Sequence, residues 1–232
     1  MPTGTPIVVA FSGGKDSTLA LAALRADPAW QVVALLTTVT PEYDRVSIHG
    51  IRRSILAAQG RALGVPVFEA ALTPGADNAA YEAAWTAAFD EIRARVGPVR
   101  HIAYGDLFLD DVRAYREALA RRMGADPVFP LWGFDTATLA ARVVAEGYEL
   151  YLTCVDTEQL DAGFAGRRFD AALLADLPPG VDPCGERGEF HTCVIDGPGF
   201  AARIAVEVGE RVRREGRFEY ADLLPTATPV TS

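Results

Sequence analysis

Six consecutive residues, Ser12-Gly13-Gly14-Lys15-Asp16-Ser17, combine the groups needed to grip a phosphate chain. Adjacent glycines let backbone N–H groups converge on an anion with no Cβ in the way. Ser12 and Ser17 add hydroxyl donors, and Lys15 adds a full charge. The apolar run before the loop and the helical pattern after it put the loop at a helix N-terminus, where the partial positive charge favours anions. Spacing excludes two familiar alternatives. A Walker A loop needs glycine where Val9 stands and a hydroxyl where Asp16 stands, and Gly-x-Gly-x-x-Gly is absent. Of the 22 cationic residues, 21 are arginine, and Lys15 is the only lysine. A compact ammonium fits between crowded phosphate oxygens where a broad guanidinium does not, so this single lysine reads as functional.

Three further clusters hold candidate site residues. In Ser47-Ile48-His49-Gly50-Ile51-Arg52, His49 and Arg52 are spaced as one helical turn, offering an imidazole for a hydrogen bond or a proton and a guanidinium for phosphate or carboxylate. A capping histidine beside solvated arginines is the plainer reading of the same residues. Gly105-Asp106 pairs a close backbone approach with a carboxylate for a hydroxyl or a magnesium-bound water, while Asp110 and Asp111 suit a helix N-terminus. Asp182 to Thr192 crowds Glu186, Glu189 and His191 among glycines, a density that lines a site more often than it shapes a loop. Cys184, His191 and Cys193 lack the paired spacing and fourth ligand of a zinc site.

These clusters need a scaffold that brings loop ends together. Short apolar runs at 7–11, 31–39, 66–69, 101–104, 128–129 and 149–155 read as strands, and 17–26, 51–63, 78–96, 110–123 and 136–145 as helices. Such alternation predicts a doubly wound, mainly parallel α/β sheet, with ligands beyond the carboxyl ends of its strands. From about residue 156 glycine and proline accumulate, and 203–220 reads as a hairpin. The expected organisation is a phosphate-binding domain over 1–155, a smaller C-terminal α+β lobe over 156–224 and a flexible tail over 225–232.

Composition bounds the partners. The 232 residues carry a net charge of −9, which argues against nucleic-acid backbones and anionic membranes. The first apolar run is too short for a signal peptide or a membrane span, so the expected location is the cytoplasm. Three scattered cysteines read as reduced thiols.

The hexapeptide at 12–17 resembles the pyrophosphate loop of the adenine nucleotide α-hydrolase superfamily. With Gly105-Asp106, Pro130-Leu131-Trp132-Gly133, Gly185-Glu186-x-Gly188-Glu189-Phe190-His191-Thr192 and Asp196-Gly197-Pro198, the chain from about 7 to 220 resembles the diphthine–ammonia ligase family and its bacterial relatives. That resemblance implies a Rossmann-like fold and cleavage of ATP between its α and β phosphates. A carboxylate, on a small molecule or a protein, is adenylated and then amidated by ammonia. By the same resemblance Ser12, Gly13, Gly14, Lys15, Asp16 and Ser17 bind nucleotide; the reading of the residues adds His49, Arg52, Gly105 and Asp106 as nucleotide-binding candidates, and Asp16 or Asp106 as the magnesium ligand. The candidate catalytic residues are Lys15 and Asp16, with Glu186, Glu189 and His191 for binding the acceptor or managing ammonia's proton. A tRNA-modifying enzyme with the same loop and a non-catalytic nucleotide-binding module are the alternatives, and a homodimer is compatible with the sequence.

Overall fold

The computed structural model describes residues 4–226, so the last six residues of the expected tail lie outside the described residues. Clustering of contacts divides the chain into two compact units. The first holds 4–12, 16–47 and 64–134; the second holds 13–15, 48–63 and 135–226. The chain is α/β, with a mainly parallel sheet in the first unit and an antiparallel sheet in the second.

In the first unit, β1 (Thr5–Ala10), β2 (Trp30–Thr40), β4 (Val67–Ala71), β5 (His101–Ala103) and β6 (Asp126–Val128) run parallel, and the short β3 (Arg45–Val46) pairs antiparallel with β2. Leu35 and Leu36 of β2 pair with both β1 and β4, which therefore lie on opposite edges of β2. The parallel order is β4-β2-β1-β5-β6. After β1 the chain crosses to β2 through α1 (Lys15–Ala26), while after β5 it moves the other way to β6 through α4 (Asp110–Arg122). The topological switch point falls between β1 and β5, where ligands bind in open sheets of this kind. Successive residues Ile7, Val8 and Val9 face alternate sides, yet all are fully buried, so both faces of the sheet are covered. On the Val8 face the core gathers Leu36, Phe68 and Ile102 with Trp85, Phe89 and Ile92 of α3 (Asn78–Val96) and Leu119 of α4. The Asp77 carboxylate starts α3 by accepting from the Ala80 N–H at 2.8 Å.

The second unit contains α2 (Arg53–Leu63), α5 (Thr136–Ala145), α6 (Ala171–Asp176) and the strands β7 (Glu149–Asp156), β8 (Phe190–Asp196), β9 (Val206–Arg214) and β10 (Phe218–Pro225) in the order β8-β7-β10-β9. The hairpin read over 203–220 is β9 and β10. Two elements differ from the sequence reading. β7, which followed the βα alternation as its last strand, pairs antiparallel with β8 and β10; an apolar run does not reveal its neighbours' direction. Part of the dense polar stretch, from Phe190 onward, is strand β8. Its Thr192 is as buried as its neighbours Phe190 and Cys193 because it bonds within the unit. No helix among the described residues is long and apolar enough to cross a membrane.

Candidate active site

The loop after β1 is divided between the units: Ser12, Asp16 and Ser17 count with the first, Gly13, Gly14 and Lys15 with the second. In the first unit the Ser12 and Ser17 hydroxyls lie 3.4 Å apart. Gly105, two residues beyond β5, packs directly on the start of α1. A Cβ there would sit 2.8 Å from the Asp16 carbonyl carbon and oxygen and 3.0 Å from the Ser17 nitrogen. Only glycine permits this approach, and it sets Asp106 beside the helix start. Burial raises the Asp106 carboxyl above the usual carboxylate range, and the Asp16 charge pushes the same way; Arg116, with Nε 3.8 Å away, opposes both. The Asp106 Oδ2 atom is buried with no hydrogen-bond partner among the described residues. Behind it the Arg116 guanidinium lies 5.3 Å over the Tyr104 ring and donates to the Tyr81 hydroxyl at 2.9 Å. Tyr104 stacks on Trp85 and on Phe129, and Arg113 covers Phe129 and Trp132. Trp132 is therefore one wall of an aromatic cluster at the carboxyl ends of β5 and β6.

In the second unit the middle of the loop is docked on β8 and α2. The Gly13 carbonyl accepts from the Val194 N–H at 2.9 Å and from Gln59 Nε2 at 2.8 Å, and Gln59 also donates to the Val194 carbonyl at 2.7 Å. Gly13 has φ of 82°, and a Cβ on it would meet the Gln59 side-chain oxygen at 2.5 Å. Lys15 is only 3% exposed. Its backbone N–H donates to Thr192 Oγ1 at 3.0 Å, its ammonium donates to the Cys184 carbonyl, and the Phe190 ring centre lies 5.8 Å from Nζ. Gln59, Thr192 and the Cys184 carbonyl were not singled out from the sequence. A glutamine among the apolar residues of α2 was the one available signal.

His49 and His191 lie ring to ring, 4.5 Å between centroids. Burial lowers both, the His191 imidazole to about 4, and the Lys15 ammonium adds to the effect on each. Both rings are neutral at pH 7, and the buried Nδ1 of His49 has no hydrogen-bond partner among the described residues. The preceding residue, Ile48, has φ of 68° and is 70% exposed, a strained backbone for a β-branched side chain. His49 and Arg52 precede α2 rather than sharing its first turn, and Arg52 makes a two-pronged ion pair with Asp222 of β10, Nε to Oδ1 at 3.0 Å. Glu189 is 2% exposed, and its oxygens accept from the backbone N–H groups of Asp182 and Arg187, each at 2.9 Å. It holds the loop 182–189 in shape. Glu186 stays partly exposed on that loop, its N–H 3.4 Å from Asp182 Oδ1. The cysteines are free thiols, and burial pushes Cys154 and Cys193 up to about 12, which keeps both protonated and poor as nucleophiles.

Family models for the diphthamide synthase N-terminal domain and the diphthamide synthase C-terminal domain match residues 5–127 and 135–221. The chain belongs to the diphthamide synthase family. A curated relative, the diphthine–ammonia ligase of Danio rerio, is 23% identical over 228 residues, covering 89% of this chain and 88% of the relative. Of the motifs quoted from the sequence, the phosphate loop and Gly105-Asp106 fall in the first matched segment and residues 185–198 in the second, while Pro130-Leu131-Trp132-Gly133 falls between the two.

The histidine pair sets a pH dependence of stability. In the unfolded chain both imidazoles take up protons near their ordinary value of about 6.5, whereas the folded chain holds them neutral to well below it. The unfolded state therefore binds more protons as pH falls through 6.5, and stability drops with it. Melting temperatures are expected to fall by several degrees between about pH 7 and 5, a window in which most carboxylates stay ionised. A His49→Asn/His191→Asn variant should show a flatter profile; an unchanged slope would mean the two rings titrate normally in the fold.

Proposed function

We propose that the chain is an ATP-dependent amide ligase that adenylates a carboxylate and transfers ammonia to it. The observation that carries this reading is the approach of Gly105 to the backbone of Asp16 and Ser17 at the sheet's switch point, which places a buried, under-partnered carboxylate at a phosphate-loop helix. The family membership supports it. Ser12, Gly13, Gly14, Lys15 and Ser17 grip the β and γ phosphates. The acceptor carboxylate oxygen attacks the α phosphorus, the bond to the bridging oxygen of the β phosphate breaks, and pyrophosphate leaves. Ammonia then attacks the acyl carbon, AMP departs, and the surplus proton on nitrogen passes to a base.

Asp16 and Asp106 would hold magnesium: burial and the Asp16 charge both raise the Asp106 carboxyl, and magnesium is held by few protein oxygens plus phosphate and water. When bound, the ion neutralises charge on the departing pyrophosphate. His191 and His49, kept neutral, are suited to take the proton from the ammonium-bearing tetrahedral intermediate, which is acidic enough for a weak base. Glu186 contacts the acceptor or the incoming ammonia, and Glu189 acts by shaping its loop. Arg52 fixes the segment carrying His49 through Asp222. Among the described residues the buried Tyr104 hydroxyl and Trp85 indole N–H make no hydrogen bond, and they would offer polar contacts beside Asp106. The high thiol pKa values of Cys154 and Cys193 weigh against sulfur transfer onto tRNA.

The test is the fate of ATP labelled at the α phosphate, incubated with magnesium, ammonium and pooled metabolite carboxylates. AMP and pyrophosphate are expected, dependent on a member of the pool. ADP as product would overturn the reading.

A further inference from the structure

A guanidinium carries five N–H donors, and one drawn out of water needs acceptors for them. Arg116 of α4 has few. Among the described residues its one hydrogen bond is the 2.9 Å contact from Nη1 to the Tyr81 hydroxyl. Its ion pair with Asp106 runs through Nε at 3.8 Å, too long for a hydrogen bond, and that Nε is buried without one. The group lies over the Tyr104 ring, 5.3 Å from its centre, and the side chain is still 26% exposed. Tyr81 and the Tyr104 ring therefore hold the fork in place while its Nη2 end stays within reach of a ligand. Two further donors belong to the same cluster, the buried Tyr104 hydroxyl and Trp85 indole N–H, and neither makes a hydrogen bond among the described residues. Donors in excess around a planar fork suit a carboxylate, whose two oxygens match it.

The sheet separates this group from the phosphate grip. Crossover connections are right-handed, so two that move in opposite directions along a sheet put their helices on opposite faces. α1 connects β1 to β2 and α4 connects β5 to β6 in the opposite direction. α4 and α3 share the Val8 face, which leaves the phosphate helix α1 on the other. Asp106, at the end of β5, feels both the Asp16 charge and the Arg116 charge. A carboxylate that reacts with ATP must lie at the phosphates, beyond the start of α1. One bound to Arg116 lies on the α3–α4 side of Asp106 and is a different carboxylate.

Resting on the ligase reading, we propose that the acceptor is a dicarboxylate: one carboxylate is adenylated, and Arg116, with the Tyr104 hydroxyl, binds the other. The second carboxylate makes and breaks no covalent bond. It fixes the molecule so that the first one faces the nucleotide.

Titration of the full chain with the straight-chain dicarboxylates from malonate to adipate, followed by tryptophan fluorescence, tests this. Trp85 and Trp132 both lie in the aromatic cluster and report on it. One dicarboxylate is expected to bind about tenfold or more tighter than its own half-amide, which keeps one carboxylate and lacks the other. Arg116→Gln should bind the two alike, and Arg116→Lys, which keeps the charge without the fork, should retain part of the preference. A loss of stability alone would not change that ratio within one variant. A wild-type chain that binds no dicarboxylate, or binds the half-amide equally well, would overturn the proposal, as would a preference that survives in Arg116→Gln. AMP release from α-labelled ATP with the tightest dicarboxylate separates the two readings. An Arg116-dependent preference without AMP would overturn the ligase reading while supporting the Arg116 site. AMP formed equally well with monocarboxylates would overturn the dicarboxylate acceptor and leave the ligase reading intact.

Discussion

Lys15→Ala is expected to reduce formation of AMP and pyrophosphate from α-labelled ATP by about 10³-fold or more while leaving the chain folded. The Lys15 backbone N–H bonds to Thr192 Oγ1 and survives the substitution. Its ammonium donates to the Cys184 carbonyl, and losing that donor costs about 1–3 kcal/mol. The same change removes the desolvation cost of a buried ammonium, so the net effect on melting should be a few degrees at most. The rate depends on the Lys15 charge. With no other lysine in the chain and burial of the one it has, the loop holds a single compact cation fixed in place. An arginine is too broad for the space between the Cys184 carbonyl and the Phe190 ring, so Lys15→Arg should fail nearly as badly. Full activity in Lys15→Ala, with an unchanged melting curve, would remove the phosphate-loop reading altogether.

The residues that sequence reasoning found and those it missed divide by the range of their contacts. The phosphate loop was legible because its signal is local: glycines and a lone lysine between an apolar run and a helical pattern. Gly105 was legible for a similar reason, as a glycine just beyond a strand. What holds the loop was not legible. The Thr192 bond to Lys15 spans 177 residues and the Gln59 bond to Gly13 spans 46, and neither residue type announces such a partner. Polar density near 182–192 drew attention to that loop, but composition does not say which polar groups are spent on the backbone. Glu189 is spent there, on the N–H groups of Asp182 and Arg187. Arg52 shows the same limit. A guanidinium near a glycine-rich turn suggested phosphate, and the structure gives it Asp222, 170 residues away. The first unit's sheet followed from strand–helix alternation, whereas β7 and β8 needed knowledge of pairing that periodicity lacks.

Gly105→Ala should weaken ATP binding by tenfold or more, about 1.4 kcal/mol, at a cost in stability that a matched glycine variant can reproduce without the binding defect. The added methyl would lie 2.8 Å from the Asp16 carbonyl carbon and oxygen and 3.0 Å from the Ser17 nitrogen, closer than real Cβ atoms come. Its neighbours are backbone atoms, so no side chain can swing aside, and the start of α1 must move away from β5. That helix start is where the phosphate grip depends on N–H groups aimed at fixed points, and a displacement of a few tenths of an ångström misdirects them. Gly133→Ala supplies the control in the same unit. A Cβ there meets nothing, but φ is 82°, so the substitution costs roughly 1 kcal/mol through backbone strain alone. Both variants should melt lower than wild type. Calorimetric titration with ATP separates them: Gly133→Ala should bind as wild type does, and Gly105→Ala should not. Wild-type affinity in Gly105→Ala would mean that the contact with α1 serves packing, and that Asp106 is not held beside a nucleotide.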